Sequence, residues 1–87
     1  TIENAYTISN GEYEVIEAEI IETSELLSKE LKNLNLPEEI RVGAVLRDNK
    51  VIIPRSSFTF KKDDKVVFIA KKDSISFVEN IFRLSSV

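Results

Sequence analysis

Cysteine, histidine, methionine and tryptophan are absent from the 87-residue chain, and glycine occurs only at Gly11 and Gly43. Zinc fingers, haem ligation, cysteine nucleophiles and Ser-His-Asp triads all need residues this chain lacks. Two isolated glycines cannot build a Walker A loop or a G-x-G-x-x-G phosphate cradle. Acid–base catalysis would fall to carboxylates, lysines or tyrosines. No apolar run approaches the ~18 residues that span a bilayer, the longest being Val66–Ala70. There is no signal-peptide pattern; without cysteine no disulfide reports the compartment, and a soluble intracellular domain is the default expectation. The chain opens at Thr1 rather than Met. It reads as a domain cut from something longer, with processing of a precursor as the lesser alternative.

What is present suits one small domain. Hydrophobic residues make up 43% and charged residues 31%, enough for a core and a soluble surface. The net charge is −3, which gives nucleic acid no reason to bind. Its distribution is uneven. Residues 1–39 hold ten carboxylates against Lys29 and Lys32, whereas residues 40–87 hold ten cationic side chains against five acidic ones. The two halves can face each other in the fold, complement a second copy, or leave the basic half to meet an anion. Ordinary surface solvation is the plainest alternative.

Hydrophobic periodicity gives the elements. Residues 1–12 read as a linker or an incoming strand ending in an Asn10-Gly11 turn. Residues 13–21 alternate, with Ile16, Ala18 and Ile20 on one side of a half-buried strand. Glu17 and Glu19 share its other side, as a carboxylate pair or, more commonly, as solvated strand-face residues. Thr23 or Ser24 can cap a helix whose stripe is Leu27, Leu31 and Leu34, with Asn33 as C-cap and Pro37 beyond its end.

Residues 40–47 form a second strand with Ile40, Val42, Ala44 and Leu46 on the apolar face and Arg41, Val45 and Arg47 on the other. Gly43 within it marks a close approach of backbone, ring or ligand. Asp48-Asn49 reads as a two-residue hairpin, because both residue types tolerate positive φ. Val51–Ile53 follows as a short strand stopped by Pro54, and Phe58–Phe60 reads as a further short extended piece with both rings on one side. Residues 65–70 are the most apolar strand, expected at the centre and covered on both faces. Asp73 or Ser74 caps a last helix that buries Ile75, Val78 and Phe82, with Phe77 and Ile81 alongside. The fold class is α+β, a small, mostly antiparallel mixed sheet with two helices packed on it.

The stretch Leu34-Asn35-Leu36-Pro37, the strand Ile40–Arg47, the Asp48-Asn49 hairpin, Val51–Pro54 and the turn Asp64-Lys65-Val66-Val67 occur in an order that resembles the C-terminal domain of the TrkA/RCK family. The segment 11–18 is similar to that family's first strand, and the closing helix through Glu79, Ile81 and Phe82 fits too. The resemblance covers residues 11–83, with residues 13–87 as the domain. It implies a cytoplasmic, non-enzymatic regulatory domain of a potassium or other cation transport protein, at the inner face of the membrane through a membrane-embedded transporter. It also implies a nucleotide-binding domain elsewhere in the same chain, homodimerisation and the sensing of a ligand, with a purely structural dimerisation module as the alternative.

Some relatives bind cyclic di-AMP at the dimer interface of this domain. They carry Arg after the Leu of the helix-to-strand corner and Asn early in the next strand. Here the matching residues are Pro37 and Arg41, while Leu36, Ile40, Val42 and Pro54 fit the apolar neighbours. Cyclic di-AMP is therefore expected to bind weakly or not at all, and another small anion is expected at Arg41. That corner faces its copy across the dimer axis in relatives, which would bring two Arg41 side chains around one anion. Arg47 is a second candidate contact, because guanidinium groups clamp phosphates. For either arginine, an ordinary surface position or an ion pair with Glu17 or Glu19 is the alternative. No catalytic residue, metal ligand or cofactor is expected within the domain.

Overall fold

A computed structural model describes residues 2–22 and 24–84. Five strands form one antiparallel sheet: β1 (Ile2–Ile8), β2 (Tyr13–Glu19), β3 (Ile40–Arg47), β4 (Lys50–Ile52) and β5 (Lys65–Lys71). Their spatial order is β1-β2-β5-β3-β4. One helix, α1 (Ile75–Leu84), closes the described chain. Of the two readings of residues 1–12, the incoming strand is the one found, since β1 pairs along β2. Asn10 and Gly11 turn the chain between them with φ of 58° and 86°, the left-handed geometry that these two residue types accept.

β5 is central, as its composition predicts, but among the described residues only one of its faces is covered by a packed layer. Val66, Phe68 and Ala70 are buried, whereas Ile69 on the other face is 39% exposed. The covered face meets Ile16, Ala18 and Ile20 from β2 and its exit, Ile40 and Val45 from β3, and Leu26, Phe60 and Val78 from the layer above. Ile75 and Phe77 of α1 pack against that core. Ile81 and Phe82, expected in the same stripe, have side chains outside the described ones, as does the candidate cap Thr23.

The leucine stripe at 26–34 does not form the expected α-helix. The segment is a run of turns followed by a 3-10 turn at Leu31–Asn33, and α1 is the only α-helix among the described residues. Tertiary hydrogen bonds replace helical ones. The Ser28, Leu31 and Lys32 amides donate to the carbonyls of Phe60, Phe58 and Ser56, and the Phe60 amide donates to Lys29 O. Ser28 and Asn35 sit at φ of 65° and 52°, which no α-helix contains. A helix of about ten residues is marginal alone. Pairing with 56–60 satisfies the same amides and still buries Leu26 at 2% exposure.

A second correction concerns β3. Val42 pairs with Phe68 and Ala44 with Val67, so Gly43 is an extra residue in a β-bulge. The bulge shifts the alternation by one. Val45, not Ala44 or Leu46, continues the buried face begun by Ile40 and Val42. Arg41 and Arg47 consequently lie on opposite faces of the sheet, not on a shared one. Beyond them Asp48 and Asn49 have φ of 52° and 64°, both positive as the two-residue hairpin requires.

Candidate functional site

Arg47 is brought onto the core side by the bulge, where it meets the turn that leads into β5. Its Nε–H donates to Asp64 Oδ1 at 2.7 Å and its Nη2–H to Oδ2 at 2.6 Å. Nη2 also donates to Thr59 O at 3.0 Å. The guanidinium lies 4.7 Å from the centroid of Phe58, whose ring meets Phe60 edge to face at 5.3 Å. Asp64 is 1% exposed and accepts a further hydrogen bond from the Lys61 amide at 2.8 Å. The hydrogen bonds to Asp64 raise the Arg47 pKa above its ordinary value; partial burial opposes the rise, and the charges of Asp64 and Asp48 add to it. This is a two-pronged, charge-assisted clamp joining β3 to the turn that enters β5. It commits Arg47 to the fold, with Asp64 as its partner rather than Glu17 or Glu19.

Arg41 is differently placed. It is exposed at the start of β3, directly after buried Ile40. Arg41, Ile40 and Val42 line one side chain cleft of about 340 Å³ together with Leu31, Lys32, Asn35 and Leu36. Four of the six residues expected at a ligand site therefore meet in one place: Leu36, Ile40, Arg41 and Val42. Pro54 does not line this cleft, and neither does Arg47. Sequence reasoning missed Lys32 and Asn35. Lys32 contacts Glu30 only at 3.8 Å on an open surface, an interaction too weak to hold it from another anion. The signal for it was slight: had residues 24–33 been a helix, Lys32 would have pointed away from the leucine stripe. The 3-10 turn at Leu31–Asn33 places it at the cleft instead.

The cleft thus combines two cations and one amide with apolar walls. Such a lining suits a small anion that carries an apolar or planar part. Among the described residues no group of three or more acidic, histidine or cysteine side chains could hold a metal ion. No described helix is long and apolar enough to cross a membrane.

Comparison with known proteins places this architecture. The family model of the TrkA-C domain matches residues 15–83, from the middle of β2 to the end of α1. The chain belongs to the TrkA-C domain family. The Trk system potassium uptake protein TrkA of Azorhizobium caulinodans is 37% identical over 84 residues, covering 97% of this chain and 18% of that protein. A Trk system potassium uptake protein TrkA homolog of Archaeoglobus fulgidus is 38% identical over 64 residues, covering 74% of this chain and 15% of the relative. The chain therefore spans less than a fifth of the length of these curated relatives. Among solved structures, one described as "Structure of RCK domain with cda" superposes with a TM-score of 0.66 at 15% identity, over 78% of this chain and 96% of the other. The expected resemblance and the α+β class both hold, with one α-helix among the described residues where two were expected.

Proposed function

We propose that this TrkA-C domain is a non-enzymatic regulatory module of a potassium uptake system, which senses a small anion at the Arg41 cleft and works as a homodimer. The observation that carries the reading is the convergence of Arg41, Lys32 and Asn35 on apolar walls, in a domain whose relatives are named as potassium uptake proteins. The rest of the parent chain would supply a nucleotide-binding domain, and a membrane-embedded cation transporter would receive the signal from the cytoplasmic side. A ligand that binds one arrangement of this domain better than another shifts the population toward it, and that shift is what a partner domain reads.

Lys32 changes the expected manner of binding. Two cations line the cleft within one protomer, so an anion can be held without a second Arg41 from the partner copy. Pro37 stands where the cyclic di-AMP binders carry Arg, and that nucleotide binds weakly or not at all. Thermal melts with inorganic phosphate, mononucleotides and cyclic di-AMP test the reading, since an anion at a hundredfold excess over its Kd adds about 2.7 kcal/mol. A rise with one mononucleotide that Arg41→Ala removes supports the site. No rise with any of them favours a purely structural dimerisation module.

A further inference from the structure

The two walls of the Arg41 cleft are built differently. Ile40, Arg41 and Val42 belong to β3 and are fixed by pairing with Ala70, Ile69 and Phe68 of β5. Leu31, Lys32, Asn35 and Leu36 come instead from the irregular layer. That second wall hangs on the strip 56–60. The Leu31 amide donates to Phe58 O and the Lys32 amide to Ser56 O, both at 2.9 Å, and Glu30 pairs with Thr59 in an isolated antiparallel bridge. The place of Lys32 at the cleft is therefore set by this strip.

The strip has its own anchor. Arg47 donates from Nη2 to Thr59 O and lies against the Phe58 ring, while its two-pronged contact holds Asp64. Arg47 stands at the far end of the strand that carries Arg41, about 20 Å away by strand rise, and does not line the cleft. A bound anion closes a ring of contacts. The ring runs from Arg41 along β3 to Arg47, on to Thr59 and Phe58, then to Leu31 and Lys32, and through the anion back to Arg41. Without an anion, Arg41 and Lys32 are like charges on two walls of one cleft, and they push those walls apart. With an anion between them both are drawn inward, which tightens the amide bonds that fasten the second wall.

We infer that Arg47 is a positioning residue for the anion cleft, and that anion binding is coupled to the fastening of residues 28–32 onto 56–60. The coupling rests on the anion-sensing reading above. It adds a route by which occupancy of the cleft reaches Asp64 and the turn into β5. Linkage makes it reciprocal: fastening the strip tightens the anion, and the anion fastens the strip.

A chain without cysteine allows a single engineered disulfide to test this. The bonds from Phe60 N–H to Lys29 O and from Leu31 N–H to Phe58 O flank the Glu30–Thr59 bridge. Such a pair is the closely spaced kind, with Cα atoms about 4.5 Å apart, within the range a disulfide spans. Glu30→Cys with Thr59→Cys locks the strip when oxidised and releases it when reduced. Calorimetric titration with adenosine monophosphate should show binding at least about fivefold tighter in the oxidised form than in the reduced form of the same protein.

Arg47→Lys keeps a charge beside Asp64 but loses the planar fork that reaches the carboxylate and Thr59 O together. It should bind adenosine monophosphate at least about fivefold more weakly than wild type, although position 47 does not touch the anion, and the disulfide should restore most of that loss. An arginine that only stabilises the fold would shift the melting temperature and leave the affinity of the folded protein unchanged. In the wild type, adenosine monophosphate should slow hydrogen exchange at the Leu31 and Lys32 amides. Circular dichroism confirms folding; if Arg47→Lys does not fold, the oxidised and reduced forms with Arg47 intact decide alone. Equal affinity in those two forms, or wild-type affinity in folded Arg47→Lys, overturns the coupling and leaves the anion site standing. No binding to the wild type overturns both.

Discussion

Replacing Arg47 with alanine separates a structural arginine from a ligand-binding one. The change leaves the Asp64 carboxylate, 1% exposed, with the Lys61 amide as its remaining donor among the bonds described. Removing one partner of a buried ion pair costs about 3–5 kcal/mol, because the other charge stays behind without compensation. The Arg47 side chain is itself 26% exposed, so water can replace part of what it supplies. A penalty of about 2–4 kcal/mol follows once that screening is allowed for. A domain of this size has a total stability of about 4–13 kcal/mol, so the loss is a large share of it. With a urea slope near 1 kcal/mol/M, the unfolding midpoint should fall by about 2–4 M.

Two companion variants sharpen the test. Arg47→Met combined with Asp64→Asn removes both charges and should be less destabilised than Arg47→Ala, since no buried charge is stranded. The pH dependence has a definite sign. A cation whose pKa is raised by folding contributes stability below its unfolded pKa and loses it only as pH rises through the folded one. Arg47 titrates far above neutrality, so its own charge keeps the penalty constant between about pH 6 and pH 9. An Arg47→Ala penalty below about 1 kcal/mol, or a double variant that simply adds the two single losses, would refute the clamp.

Phe68 is fully buried at the centre of β5, so Phe68→Ala should cost about 3–5 kcal/mol in chemical denaturation, and a loss under about 1 kcal/mol would move that strand to an edge. Asn49 holds φ of 64° in the hairpin, so Asn49→Val should cost about 1–2 kcal/mol while Asn49→Gly stays within about 0.5 kcal/mol of wild type; equal effects would argue against the left-handed turn. Arg41→Ala removes an exposed side chain and should leave unfolding free energy within about 0.5 kcal/mol in the absence of anions, read from the same urea curves.

Much of this fold was legible because local chemistry and tertiary structure agree. The Asp48-Asn49 turn, the central apolar strand at 65–70 and the apolar spacing of Ile75 and Val78 each carry their own signal. The leucines at 26–34 misled because a helical stripe and an irregular layer over a sheet bury the same residues. What decides between them is the set of carbonyls at 56–60, which is invisible to a local pattern. Gly43 stands out within its strand, but a bulge is a property of two paired strands, and one strand read alone cannot reveal a shift of phase. That single extra residue puts Arg47 on the opposite face from Arg41, where unbroken alternation would put them together. Asp64 read as part of a charged turn because its partner lies 17 positions away. Four of the seven residues that line the cleft were legible, Leu36, Ile40, Arg41 and Val42, which follow one another closely in sequence. Lys32 joins them only through the turn that replaced the helix.

Calorimetric titration of mononucleotides and cyclic di-AMP into the wild-type chain, Arg41→Ala and Lys32→Ala tests the sensing role most directly. Saturable binding of a mononucleotide to the wild type is expected, at least tenfold weaker in Lys32→Ala and undetectable in Arg41→Ala, with cyclic di-AMP weak or silent throughout. Binding that survives Arg41→Ala unchanged, or tight binding of cyclic di-AMP despite Pro37, would contradict it.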